Sequence, residues 1–181
     1  MGEKKSLLLA LLAAATLALT SGVQAAGTLT GQVGIQLTIG SGCTVGNGGA
    51  TGGTNQWGTL NFGSYSDLTS VINGTVFGAN GSSAVTITCS TGLSPTLSLN
   101  GGLAATGGLR AMSSGGTSIP YRLYSDSART TEIAINTPIA LTTGTTAQNI
   151  PIYGRVLPGD QVSTTPTAGT YNDTVVATLS W

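Results

Sequence analysis

Residues 28–39 read Thr-Leu-Thr-Gly-Gln-Val-Gly-Ile-Gln-Leu-Thr-Ile. The odd positions, Leu29, Gly31, Val33, Ile35, Leu37 and Ile39, hold every apolar side chain. The even ones, Thr28, Thr30, Gln32, Gly34, Gln36 and Thr38, hold every polar one. A period of two is the mark of a strand with one dry face and one wet face. At ~3.4 Å per residue the stretch extends about 40 Å, long for a domain of this size. On pattern alone two readings stand. Either 28–39 opens a closed sandwich and pairs within its own chain, or it lies outside the domain, ahead of Cys43, and completes another subunit by strand addition.

Working outward, the rest of the chain alternates in the same way and shows no sustained helical period. Trp57–Phe62 puts Leu60 and Phe62 on one face, and Ala84–Cys89 puts Val85, Ile87 and Cys89 inward. Pro95–Leu99, Ile119–Leu123 and Gln148–Gly154 alternate too, the last with Ile150 and Ile152 in phase. Pro120 and Pro151 cannot donate to a ladder, which predicts an edge or a bulge at each. Ala168–Trp181 forms the closing strand, with Tyr171, Val175, Ala177, Leu179 and Trp181 in phase. Turn clusters separate the runs: Gly46 to Gly53, Asn100-Gly101-Gly102, Gly107-Gly108, Gly115-Gly116 and Pro158-Gly159-Asp160. Short punctuated strands of this kind predict an all-β, antiparallel sandwich. The glycine-rich 46–53 stretch has no lysine and no following helix pattern, so it reads as a surface loop rather than a phosphate cradle.

The front of the chain reads as an address. Lys4 and Lys5 precede an almost pure Leu/Ala run from Leu7 to Leu19, and Val23-Gln24-Ala25 offers small residues for cleavage after Ala25. That 13-residue run, broken only by Thr16, falls short of the ~20 apolar residues that span a bilayer. We therefore read 1–25 as a signal peptide, 26–40 as an N-terminal strand segment and 41–181 as the domain. Residues 26–181 retain Arg110, Arg122, Arg129 and Arg155 against Asp67, Asp126, Glu132, Asp160 and Asp173, a net charge of −1 with no lysine. An exported chain with two cysteines most simply pairs them, Cys43 with Cys89.

Composition narrows function. The chain has no histidine, which excludes a Ser-His-Asp triad and imidazole base or metal chemistry. With 7% charged residues and no net charge there is no electrostatic footprint for nucleic acid. No cofactor and no catalytic or metal site is expected. Asp126 and Glu132, with Arg129 between them, read as a solvated turn rather than a glycosidase pair. Asn73-Gly74-Thr75, Asn80-Gly81-Ser82 and Asn172-Asp173-Thr174 match the glycosylation pattern without structural consequence. Trp57 and Trp181 read as core filling rather than a sugar platform.

Six segments in order carry a resemblance. They are Gly42–Gly46, Trp57–Gly63, Val85–Cys89, Tyr121–Thr130, Ile150–Gly154 and Gly169–Trp181. Together they resemble the spore coat protein U domain family, specifically the shaft pilins of archaic chaperone–usher pili of the Csu type. The resemblance implies an incomplete immunoglobulin-like sandwich that lacks one strand and exposes an apolar groove between its first and last strands. It implies that a periplasmic chaperone fills the groove first, and that the N-terminal segment of another copy replaces it at an outer-membrane usher. The inserting segment is then 28–39, with Leu29, Val33, Ile35, Leu37 and Ile39 as knobs and Gly31 as a close-approach point. Residues 170–181 flank the groove, and basic residues of the chaperone hold the carboxylate at Trp181. Tip and adaptor subunits, a homopolymeric surface fibre, adhesion and biofilm formation follow from the same resemblance. The mature length of 156 residues points to one domain, hence a shaft subunit. The alternatives are a self-contained secreted sandwich that binds carbohydrate as an adhesin, or a spore-coat structural protein; an enzyme is a distant third.

Overall fold

The computed structural model of the chain describes residues 28–46, 57–78 and 84–181. The signal-peptide segment 1–25, nearly all of the Gly46–Gly53 loop and the Asn80-Gly81-Ser82 motif lie outside the described residues. The chain divides into two units, Met1–Thr38 and Ile39–Trp181. In the first, residues 28–38 hold no regular secondary structure, so the long strand of the pattern is not formed within this chain. An isolated extended segment has no partner for its N–H and C=O groups, and a strand exists only as part of a ladder.

The second unit is all-β and antiparallel. Its strands are β1 (Cys43–Gly46), β2 (Thr59–Leu60), β3 (Ile72–Phe77), β4 (Thr86–Cys89), β5 (Thr96–Leu99), β6 (Arg110–Ser114), β7 (Thr117–Tyr124), β8 (Ile139–Ala140), β9 (Gln148–Asn149), β10 (Tyr153–Val156) and β11 (Ala177–Ser180). They form three sheets, ordered β1-β4-β9, β2-β3-β10-β7-β6 and β11-β5-β8. One 3₁₀ turn, Pro158–Asp160, is the sole helical element among the described residues.

The alternating strands bury what their pattern dictates. Val85, Ile87 and Cys89 on β4 and its approach, and Leu97 and Leu99 on β5, are all buried in one core with Ile72, Ile119, Leu123, Ile133 and Val156. Cys43 lies directly opposite Cys89 in the β1–β4 ladder, and the two form the expected disulfide with their Cα atoms 4.1 Å apart.

Each proline faces a side where pairing has stopped, although Pro120 still lies opposite Ala111 within the β6–β7 ladder. β10 pairs with β7 only from Tyr124 to Arg122, so Pro120 lies past its end, and the Pro120 carbonyl accepts from Gln161 Nε2 at 3.0 Å. Pro151 breaks the expected Gln148–Gly154 strand into β9 and β10. Ile150 N–H donates to Val85 O at 2.8 Å, while Ile152 O accepts from Val76 N–H at 3.2 Å. The chain thus leaves one sheet and joins another within two residues, with a proline at the crossing.

Four strands were not read from the sequence: β1, β3, β6 and β8. β3 carries Gly74 at an inward position, where a regular apolar alternation would need a large side chain, and β6 opens on the buried Arg110. β8 has only two residues.

Candidate functional site: an apolar groove beside the last strand

The closing segment does not form one strand over 168–181. Only Ala177–Ser180 pairs, with β5 in the register Ala177↔Leu99 to Ser180↔Thr96. Asn172 bridges instead to Ser113 of β6. The chain therefore crosses from the edge of the five-stranded sheet to the edge of the β5 sheet between residues 172 and 177. Alternation of burial survives the crossing: Tyr171, Asp173, Val175, Ala177 and Leu179 are half-buried while their neighbours are exposed.

Beside this crossing lies a groove of about 990 Å³. One wall is 171–179, the other is Trp57, Leu60 and Phe62, and the floor includes Val76, Leu99, Met112, Tyr121 and Ile152. Most of these apolar side chains are only partly buried although they pack against the core. β11 and β2 each have one ladder partner, so each presents an unpaired edge among the described residues. Half-wet apolar walls beside open edges invite association with another strand.

Two glycines shape the floor. A Cβ at Gly74 would lie 2.7 Å from Leu60 Cδ2, and one at Gly154 would lie 2.7 Å from Leu60 Cδ1 and 2.8 Å from Phe62 Cζ. Leu60 and Phe62 lie flat across β3 and β10 because those positions carry no side chain, and Phe62 meets Tyr121 edge to face at 5.9 Å.

Polar groups fix the wall in place. The Tyr121 hydroxyl donates to Asp173 Oδ2 at 2.6 Å, and Asp173 Oδ1 accepts from Leu103 N–H at 2.7 Å and Thr174 N–H at 2.8 Å. Burial, and secondarily this bond to a carboxylate, push the Tyr121 phenol well above its ordinary value. Asn100 N–H donates to Val176 O at 3.0 Å, and Asn100 Oδ1 accepts from Val176 N–H at 2.8 Å. Arg110, 2% exposed, donates to the carbonyls of Asn100, Ile133 and Leu99 at 2.8–2.9 Å. Burial depresses its guanidinium; three carbonyls take the place of a counter-ion.

The other arginines are committed too. Arg122 forks onto Asp160 at 2.7 and 2.9 Å and reaches Glu132 at 2.8 Å. Arg129 donates to the carbonyls of Gly154, Ser127 and Gly74 and lies over the Tyr153 ring. Arg155 bonds Asn73 and lies over Tyr124. Glu132 therefore belongs with Arg122, whereas Asp126 caps the backbone of Thr130 and Thr131; the two acids form no catalytic pair. Among the described residues no group of three His, Cys, Asp or Glu side chains could hold a metal, and no helix is long and apolar enough to cross a membrane.

Of the residues singled out in the sequence, Tyr171, Val175, Ala177 and Leu179 line the groove. Trp181 does not; it is 59% exposed. Trp57 lines the groove rather than filling the core. Leu29, Val33, Ile35, Leu37 and Ile39 are 83–98% exposed, and Gly31 has nothing within 4 Å of its would-be Cβ. Met112, Val76 and the Tyr121–Asp173 pair escaped notice, because a single methionine, a short β3 and a lone acid give no periodic signal.

The model of the Spore Coat Protein U domain matches residues 29–178. The chain belongs to that family. Its match begins at the first apolar residue of the alternating arm and ends within β11, so arm and groove both fall inside the domain. Among solved structures, this Spore Coat Protein U domain is similar to a chain of the CsuC–CsuE chaperone–tip adhesion subunit pre-assembly complex from archaic chaperone–usher Csu pili of Acinetobacter baumannii. The identity is 23% and the TM-score 0.49, over 80% of this chain and 40% of that one. This chain thus spans less than half the length of that neighbour. No curated protein matches it.

Proposed function

We propose that the chain is a structural, non-enzymatic subunit of a chaperone–usher pilus that polymerises by donor-strand exchange into a surface fibre for adhesion and biofilm formation. One observation carries the reading: a single sequence holds both an open apolar groove and an exposed arm with five aliphatic side chains in one phase. Burying those five at ~1.5–3 kcal/mol each contributes about 7–15 kcal/mol. Ladder bonds to the open edges add to this, and ordering the arm offsets a substantial part. Groove and arm are different surfaces, so the contact is heterologous, need not close, and builds a fibre. A subunit with both features suits an interior link, hence the shaft; a terminal unit needs only a groove.

The partners follow from this role. They are further copies of the chain, a periplasmic chaperone that occupies the groove first, an outer-membrane usher, and tip and adaptor subunits. Residues 1–25 act as the signal peptide for export to the periplasm, and the assembled subunit is extracellular. Membership of the Spore Coat Protein U domain family supports the reading.

The test is the full chain exported with its assembly machinery, analysed by mild-detergent electrophoresis with and without boiling. Wild-type chain gives SDS-resistant multimers that boiling converts to monomer, and Gln36→Asp leaves them intact. Ile35→Asp removes them while oxidised subunit still accumulates. Long fibres from Ile35→Asp, or a single unboiled monomer band from wild type, would overturn the proposal.

A further inference from the structure

The groove stands open although its walls are apolar and could close on each other. What opposes closure is visible in the bonds that hold the wall formed by 171–179. Between the bridge at Asn172 and the first ladder residue, Ala177, the segment has no strand partner, yet it is tied at two points to polar groups of the domain. At the first, Asp173 accepts from Tyr121 Oη, Leu103 N and Thr174 N, in a space that Gly102 leaves free because any Cβ there would collide with the carboxylate. At the second, the Asn100 main chain and side chain both bond Val176. The 99–100 corner is in turn clamped by the buried Arg110 through the Leu99 and Asn100 carbonyls.

We infer that Asn100, Tyr121 and Asp173, with Arg110 behind Asn100, are positioning residues that hold the unpaired crossing away from the opposite wall and so keep the groove ready for a strand. The inference rests on the donor-strand reading of the groove. Its physical content is preorganisation: a wall already fixed in its binding geometry spares the entering strand the cost of ordering it. The ties differ in place: Tyr121 holds Asp173 from the groove's floor, while Asn100, which does not line the groove, takes both main-chain groups of Val176. Loss of a tie leaves the fold's buried core intact but lets the wall drift.

Asn100 allows a sharp test, because only its side-chain oxygen is used, accepting from Gly102 N–H and Val176 N–H. Asn100→Asp keeps that acceptor and Asn100→Ala deletes it. Full-length variants are exported with the assembly machinery, and two quantities are read: the amount of oxidised, soluble subunit, and the rate at which SDS-resistant multimers fall to monomer on warming. Asn100→Ala multimers dissociate about tenfold faster, the factor expected for one acceptor serving two donors, at near-normal levels of oxidised subunit. Asn100→Asp restores the rate to within about twofold. Should Asn100→Ala fail to accumulate, Tyr121→Phe, which removes one hydroxyl, takes its place with an expected acceleration of about fivefold. Unchanged dissociation in the accumulating variant, or loss of subunit in step with loss of multimer and no rescue by Asn100→Asp, overturns the inference. Ile35→Asp run alongside separates the two levels: if it assembles normally, the donor-strand reading itself fails.

Discussion

Two stretches of this chain carry the same period-two pattern and meet different fates. Residues 28–39 alternate without a fault, yet their apolar side chains are 83–98% exposed. Residues 171–180 alternate less cleanly, with an acid at 173, yet every second side chain is half-buried. The difference lies in partners rather than propensity. The closing segment has β5 and Ser113 to bond with; the arm has no ladder. A binary pattern fixes which face a strand will bury, and says nothing about whose surface will cover it. Half-burial on the closing segment and near-complete exposure on the arm leave each with an apolar face that is not fully covered.

The largest effect should come from charging the dry face of the closing segment. Leu179→Asp places a carboxylate in the groove, where donor insertion would bury it unpaired; at ~3 kcal/mol or more that means at least a hundredfold loss of multimer stability. Ser180→Asp, one residue away on the exposed face and outside the groove lining, should change it by no more than about 0.5 kcal/mol. Multimer yield by unboiled electrophoresis compares the two. Equal effects would mean that the alternation of 171–180 does not define a binding face.

The second effect concerns what holds the domain together while its groove is empty. The Cys43–Cys89 bond closes a loop with a sequence separation of 46 residues, worth about 4 kcal/mol in the loop-entropy description. Replacing both cysteines by serine should lower the unfolding free energy of the soluble subunit, read by denaturant titration, by that margin and sharply reduce its export yield. The arm, which lies ahead of Cys43, should lose nothing by it, since its exposed side chains depend on no fold.

These contrasts also show what could be read before the fold was known. Val85, Ile87, Cys89, Leu97 and Leu99 declared themselves because large and small, apolar and polar, alternate there strictly, and all are buried. The disulfide was legible from two cysteines in a chain whose front reads as an export signal. β3 and β6 were not, for physical reasons that differ. In β3 the inward position between Ile72 and Val76 is Gly74, vacant so that Leu60 and Phe62 can cross it. In β6 a buried arginine bonds three carbonyls, and no pattern rule expects a charge in a core. The lining residues Tyr171, Val175, Ala177 and Leu179 were legible as a face; that the face breaks at Asp173 into a sheet crossing depends on contacts with Tyr121 and Asn100, which are remote in sequence.

A smaller effect should come from filling the vacancy under the opposite wall. Gly154→Ala brings a methyl to within 2.7 Å of Leu60 and 2.8 Å of Phe62. Both side chains are half-exposed, so they can swing toward the groove instead of straining the core. The domain should lose about 1 kcal/mol, at the low end for overpacking. The multimer should lose more, because the displaced Leu60 and Phe62 occupy volume that a donor strand would fill. Equal losses in subunit and multimer would show that the two rings of contact, under the wall and within the groove, are independent.

The smallest effect separates arm from domain by pH. Residues 28–39 contain no ionisable side chain, so acid can act only on the domain. There the Arg122 fork holds Asp160 below its ordinary 3.8, and bonds to Thr69 and to the Thr131 backbone do the same for the exposed Asp67 and Asp126. A carboxyl whose folded value is depressed stabilises the fold fully above its unfolded value, and that contribution is lost as pH falls through the folded one. Subunit stability should therefore be flat from neutral pH to about 5 and decline below 4, with Asp160 accounting for about 1 kcal/mol of the fall. Asp160→Asn should be less stable at pH 7 by that amount and should show a shallower decline, because the group that titrates is gone. Between pH 7 and 5, where neither arm nor domain changes charge, multimer stability should not move. A transition in that window would mean that assembly depends on an ionisation in a partner, since this chain has no histidine to supply one.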